Sequence, residues 1–156
     1  MDQTTPTVPT RIRTAPSWLL GRAHTRAHRV TMAGFAAVGV RAYHYRLMAA
    51  LGEWGPASQA DLGRSTSIDR SDVVTAVSEL ESDGLVARVR DPAHGRRNIV
   101  SLTPEGQRRL RALDDLHDQT QAEVLAPLTA AERIQLVQLL DKLGTAEIRT
   151  EPGAAR

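Results

Sequence analysis

Ser58-Gln59-Ala60-Asp61-Leu62-Gly63-Arg64-Ser65-Thr66-Ser67-Ile68-Asp69-Arg70-Ser71-Asp72-Val73-Val74-Thr75-Ala76-Val77-Ser78-Glu79-Leu80-Glu81-Ser82-Asp83-Gly84 is the stretch whose reading decides the fold. Ser58 opens a short helix, and Asp61 three residues on resembles a capping box. The helix takes in Leu62 and ends near Ser65, and Thr66-Ser67-Ile68 forms a turn. Asp69 caps a second helix, about 69–83, which Gly84 closes. Its apolar residues Val73, Val74, Val77 and Leu80 recur at helical spacing, and its other face carries Arg70, Ser71, Asp72, Thr75, Ser78 and Glu79.

Immediately downstream the periodicity changes. Leu85–Arg90 and Asn98–Leu102 alternate as strands do, and the intervening Asp91-Pro92-Ala93-His94-Gly95-Arg96-Arg97 is rich in turn formers, so the pair predicts a β-hairpin. Upstream, one helix runs from about Arg41 to Trp54 and stops at Gly55-Pro56. Before it, a longer helix starts with Ser17 as N-cap and ends at Gly39; Gly34 inside it marks a close helix approach. Thr103-Pro104-Glu105 starts a helix whose one face carries Leu110, Leu113, His117, Thr120 and Val124. Thr129 caps a last helix with the stripe Ile134, Val137, Leu140 and Leu143. The expected class is therefore mainly α with a small β-hairpin (α+β), a winged helix-turn-helix flanked by N- and C-terminal helices. The organisation expected is a disordered tail at 1–16, one domain at 17–148 and a second tail at 149–156. Within the domain, 41–103 carries the helix-turn-helix and the hairpin, and 17–40 and 104–148 are the flanking helices.

Composition narrows the function. The 156 residues are 41% hydrophobic but only 3% aromatic, which demands an aliphatic core and favours helices over a β-sandwich. Cysteine is absent, which excludes disulfides, thiol chemistry and Cys-ligated zinc. No apolar run reaches membrane-span length, and the first residues lack the apolar region of a signal peptide, so a cytoplasmic location without membrane contact is expected. The net charge of +2 is unevenly spread. No acid stands between Gln3 and Gly52, where seven arginines lie, and a second basic stretch runs from Arg88 to Arg111. Such stripes suit a polyanionic partner. There is no Gly-rich phosphate loop and no nucleophile motif on a strand-to-helix turn, so neither an enzyme nor a cofactor is expected.

The order of short helix, turn, helix and hairpin has a simple physical use. A major groove of B-DNA admits one α-helix, and side chains near its N-terminus reach base edges. Arg70, Ser71, Thr75 and Ser78 are the candidates there. Ser58 and Gln59 begin the bracing helix, whose N–H groups can face a phosphate. Arg96 and Arg97, in the wing at 91–97, can enter the minor groove, where the potential is most negative. Arg88 and Arg90 serve equally as phosphate contacts or as solvated strand residues.

Gly55-Pro56-Ala57-Ser58-Gln59-Ala60-Asp61-Leu62, Ile68-Asp69-Arg70-Ser71, Leu80-Glu81, Gly84-Leu85-Val86, Asp91-Pro92 with Arg96, and Val100-Ser101-Leu102-Thr103-Pro104-Glu105-Gly106 together resemble the MarR family of bacterial transcription regulators. The resemblance spans about 18–143. It implies a triangular homodimer, with 41–103 as a DNA-binding lobe and the interleaved N- and C-terminal helices at 17–40 and 104–148 as dimerisation helices, that binds a palindromic operator on double-stranded DNA, usually as a repressor. It also implies release of DNA by a small aromatic or phenolic effector held between the dimerisation region and the DNA-binding lobe. Trp18, Arg22, His44, Tyr45 and Arg46 are the candidates for that pocket, in a crevice between the helices from Trp18, Arg41 and Pro104. His94, Thr75 and Asp72 depart from the family pattern and bear on operator preference rather than on the fold. Two other readings compete: a winged helix used only for protein contacts, and a metal site built on His24, His28 and His44, which lacks an acid nearby in sequence. No metal is expected.

Overall fold

The structure, a computed structural model, describes residues 8–91 and 98–145. The chain divides into two units, Met1–Val124 and Leu125–Arg156. The first contains α1 (Thr10–Arg13), α2 (Pro16–Ala37), α3 (Ala42–Trp54), β1 (Ala57–Ser58), α4 (Gln59–Thr66), α5 (Arg70–Ser82), β2 (Val86–Arg90), β3 (Asn98–Leu102) and α6 (Pro104–Val124). The second contains α7 (Ala130–Gly144).

Local chemistry sets most of these boundaries. Asp69 caps α5 by accepting from Ser71 N at 2.9 Å. Thr129 and Glu132 form a reciprocal capping box on α7. Gly39 and Gly84 adopt the left-handed conformation after α2 and α5, where a side chain would be strained. Two starts differ from expectation. Pro16, not Ser17, opens α2, because proline suits the first helical position and its fixed φ needs no capping side chain. The single-turn α1 also falls inside the stretch expected to be a tail.

The two expected strands pair antiparallel, with Val86 opposite Leu102 and Arg90 opposite Asn98. A third strand was not expected. β1 pairs antiparallel with β3, Ala57 opposite Val100 and Ser58 opposite Ile99, giving the order β1-β3-β2. Two residues after a proline carry no period for sequence to reveal.

One aliphatic core fills the first unit: Leu47, Met48 and Leu51 of α3, Leu62 of α4, Val73, Val77 and Leu80 of α5, Val86 and Val100 of the sheet, and Leu113 of α6, with Phe35 from α2. The close approach expected at Gly34 is real, since a Cβ there would lie 2.4 Å from Thr120 Cγ2. Two arginines fasten α2 to α6 reciprocally. Arg26 donates to Val124 O (2.7 Å) at the C-terminus of α6, and Arg109 donates to Val38 O (3.1 Å) at the C-terminus of α2. Both place a cation at the negative end of a helix dipole. Among the described residues no helix is long and apolar enough to cross a membrane.

Candidate nucleic-acid interface

α4, the turn Ser67-Ile68-Asp69 and α5 form the helix-turn-helix. Ser67 closes α4 in the left-handed conformation (φ 54°), and Ile68 is buried, so the turn is pinned to the core. Arg46 of α3 donates to Thr66 O at 3.4 Å, bracing the end of α4. Arg88 of β2 donates through its backbone N (3.2 Å) and its Nε (2.7 Å) to Glu81 of α5, fixing the sheet against that helix. This pair holds the Glu81 carboxyl below its usual range. Arg88 is thus committed inside the protein, whereas Arg70 and Arg90 are exposed and form no ion pair with a described residue.

Arg70, Ser71, Thr75 and Ser78 all lie exposed on α5. Ser71 Oγ donates to Asp69 Oδ1 (2.7 Å), Thr75 Oγ1 to Ser71 O (3.0 Å) and Ser78 Oγ to Val74 O (2.9 Å). Each hydroxyl proton is therefore spent within the helix, and the oxygens present lone pairs outward. The bonds from Ser71 also hold the Asp69 carboxyl below its usual value. Ser58 differs from the surface role expected of it. It is 3% exposed, and its hydroxyl accepts from Asp61 N (3.2 Å) and donates to Asp61 Oδ2 (2.6 Å), so it caps α4. Gln59 is half-buried beside it, with its Nε2 buried and unpaired among the described residues. Gln59 and Arg70 line one groove of about 410 Å³ together with Arg64, Val74 and Asn98. Arg96 and Arg97, with the rest of 92–97, lie outside the described residues.

Val74 corrects the expected stripe. It is 42% exposed, while Val73 and Val77 are fully buried. The signal was legible: Val73, Ala76, Val77 and Leu80 already complete a core-facing arc, and Val74 stands about 100° around the helix from Val73.

The five candidate effector residues do not share a cavity. Trp18 and Arg22 lie on an open face lined by α2 residues alone. His44 lines a separate cavity of about 130 Å³ with Leu80 and Asp83 from the end of α5 and Arg109 of α6. Its Nε2 donates to Glu79 Oε2 at 2.8 Å, and Arg41 pairs with the other oxygen at 3.2 Å. Tyr45 stacks between Phe35 and His117 at 5.1 Å from each and donates to Asp114 (3.1 Å); burial and that carboxylate push its hydroxyl up to about 12. Arg46 serves the turn as described. His24 and His28 stack at 5.9 Å, and no group of three His, Asp or Glu among the described residues is placed to hold a metal.

A bracing helix, a second helix with an exposed polar N-terminal half and a sheet extending from its far end define a winged helix-turn-helix protein. The MarR family model matches residues 39–97. Over 96 residues the chain is 33% identical to the transcriptional repressor NicR of Pseudomonas putida, covering 62% of this chain and 61% of NicR. It is 31% identical to the transcriptional regulator HosA of Escherichia coli, covering 64% of this chain and 73% of HosA. A solved structure of Bordetella bronchiseptica BpsR, described for regulation of its DNA binding by 6-hydroxynicotinic acid, superposes with a TM-score of 0.79 at 27% identity, covering 90% of this chain and all of that one. The chain belongs to the MarR family. Against the first curated relatives it spans about half to two thirds of their length, 52% to 66%. These relatives are named as regulators of transcription, not as enzymes.

Proposed function

We propose that this protein is a ligand-responsive, DNA-binding transcriptional repressor that binds a palindromic operator as a homodimer. The observation that carries this reading is the outer face of α5, where Arg70, Ser71, Thr75 and Ser78 stand exposed together beside the α4 groove. Such a face offers one bidentate donor and several acceptors to the edges of a major groove. Gln59 and the N-terminus of α4 take a phosphate, and Arg96 and Arg97 of the wing take the minor groove. Ser58 contributes by capping α4, not by touching DNA.

The lobe at 41–103 binds DNA, and 17–40 and 104–148 pair the protomers. Support for pairing comes from uncovered apolar surface. α7 has no buried residue, with Val137 at 60% and Leu143 at 61% exposed, and Trp18, Leu19 and Leu20 stand exposed on α2. Leu113, counted on the same sequence stripe, is instead buried in the protomer's own core, and Leu110 packs against it. A second copy is the partner of matching chemistry, at about 25 cal/mol per Å² of apolar area covered.

The effector is a small aromatic acid, the class to which 6-hydroxynicotinic acid of the BpsR work belongs. The cavity at His44 supports the site, because Arg109 supplies a cation and His44 is bonded to Glu79 of α5. A ligand that draws His44 from Glu79 reseats α5 and favours a dimer whose recognition helices miss the spacing of about 34–36 Å between successive major grooves. Footprinting on DNA adjoining the protein's own gene, with and without hydroxylated aromatic acids, tests this. The expected result is a symmetric footprint that the acid removes, with His44→Ala footprinting normally but no longer released. Absence of a footprint overturns the DNA reading, and a footprint that no acid alters overturns the effector reading.

A further inference from the structure

Val74 is the only large apolar side chain of α5 that is exposed, although its neighbour Val73 and the residues Val77 and Leu80 are buried. Isolated surface valines are ordinary, but this one occupies a particular place. Residues four apart on a helix are neighbours, so Val74 stands between Arg70 and Ser78, with Thr75 beside it. It lines the groove that Gln59, Arg64, Arg70 and Asn98 complete. A β-branched residue facing water gains nothing in a helix, since it loses rotamer freedom and packs on nothing. The polar groups around it fix what the patch can read. Thr75 and Ser78 have spent their protons on Ser71 O and Val74 O, so they offer acceptors, while Arg70 offers donors. Val74 adds the one feature without hydrogen-bonding capacity. In the major groove the one apolar feature among the base edges is the 5-methyl group of thymine.

We infer that Val74 is a specificity-determining residue that packs against a thymine 5-methyl group in each half-site. The inference rests on the DNA-binding reading above and deepens it. Covering one methyl group supports a discrimination of about fourfold per half-site, hence about fifteenfold for a symmetric pair.

The test uses the full chain and the duplex it selects from a randomised pool. Each thymine is replaced in turn by deoxyuridine, which removes the methyl and leaves the hydrogen-bonding edge intact. The wild type is expected to lose about fifteenfold when one symmetry-related pair of thymines is replaced. Val74→Ala, at a solvent-facing site and with a better helix former, should fold as the wild type does and bind the thymine and deoxyuridine duplexes equally. Arg70→Ala should weaken both duplexes while keeping their ratio. A wild type indifferent to every replacement, or a Val74→Ala protein that keeps the wild-type ratio, overturns the assignment. Failure to select any duplex overturns the DNA-binding reading itself, and with it this inference.

Discussion

Replacing Gly106 by alanine should unseat α6 from the sheet. A Cβ at this position would lie 1.9 Å from Leu85 O, 2.9 Å from Leu85 C and 3.2 Å from Leu102 Cδ2. Real Cβ contacts essentially never fall under 3.0 Å, so one backbone must withdraw by about 1.1 Å, and no rotamer change can relieve a clash with a carbonyl. The same carbonyl accepts from Thr103 N at 3.0 Å, Thr103 Oγ1 also donates to Gly84 O at 2.7 Å, and Gly106 N donates to Thr103 Oγ1 at 3.0 Å. Withdrawal strains all three. Overpacking costs about 1–3 kcal/mol and a weakened hydrogen bond about 1 kcal/mol. Against this, alanine gains at most about 1 kcal/mol in helix propensity. The net expectation is a loss of about 1–3 kcal/mol. Gly52→Ala is the comparison: its Cβ would clash with Leu110 Cδ2 at 2.5 Å, the far end of a side chain that can rotate, and its other neighbours lie at 3.8 Å or more, so its cost should stay within about 1 kcal/mol. Urea denaturation followed by helical circular dichroism, at one fixed protein concentration, measures both. Gly106→Ala as stable as the wild type, or Gly52→Ala the more damaging of the two, would refute the reasoning.

Three further outcomes are expected. The double substitution Arg96→Ala, Arg97→Ala should weaken binding to all duplexes and flatten the plot of log affinity against log salt by about 1 per lost phosphate contact; an unchanged slope removes the wing from the interface. Val137→Asp with Leu140→Asp, both on exposed positions of α7, should convert a dimer in sedimentation to a monomer or an aggregate, and a monomeric wild type contradicts the pairing. Glu81 has a lowered pKa in the fold because Arg88 bonds its charged form, so the folded state binds fewer protons than the unfolded chain. Its contribution to stability is therefore present above about pH 4.5 and is lost as pH falls through the lowered value. Glu81→Gln should destabilise at neutral pH and flatten the acid limb of the stability curve, as denaturation at a series of pH values will read; an acid limb of wild-type steepness counts against the pair.

Much of this fold is readable in short-range chemistry. The caps at Asp69 and Thr129, the glycines at 39 and 84, the Thr103-Pro104 start and the alternation of the hairpin each act within a few residues, and each lies where its residues call for it. What stayed hidden depends on distant partners. β1 is a strand only because β3 passes beside it, and Ser58 disappears from the surface for the same reason. Val74 reads as core in the sequence because a run of valines looks like one stripe, although helical geometry sends it outward. Residue type alone groups the five effector candidates. The packing separates Trp18 and Arg22 from His44 and spends Tyr45 and Arg46 on Asp114 and the Thr66 carbonyl. Several arginines of the basic stripes likewise serve carbonyls and carboxylates of the protein itself, as Arg26, Arg88 and Arg109 do.

The central claim is that the outer face of α5 reads a DNA sequence. Its most direct test is the affinity of the wild type and of Arg70→Ala for the selected duplex and for a random duplex of equal length, at one salt concentration. The account predicts that the wild type prefers the selected duplex by about 10³-fold or more, and that Arg70→Ala loses a large part of that preference while its urea midpoint stays unchanged. Equal affinity of the wild type for the two duplexes, or a preference that Arg70→Ala leaves intact, would contradict it.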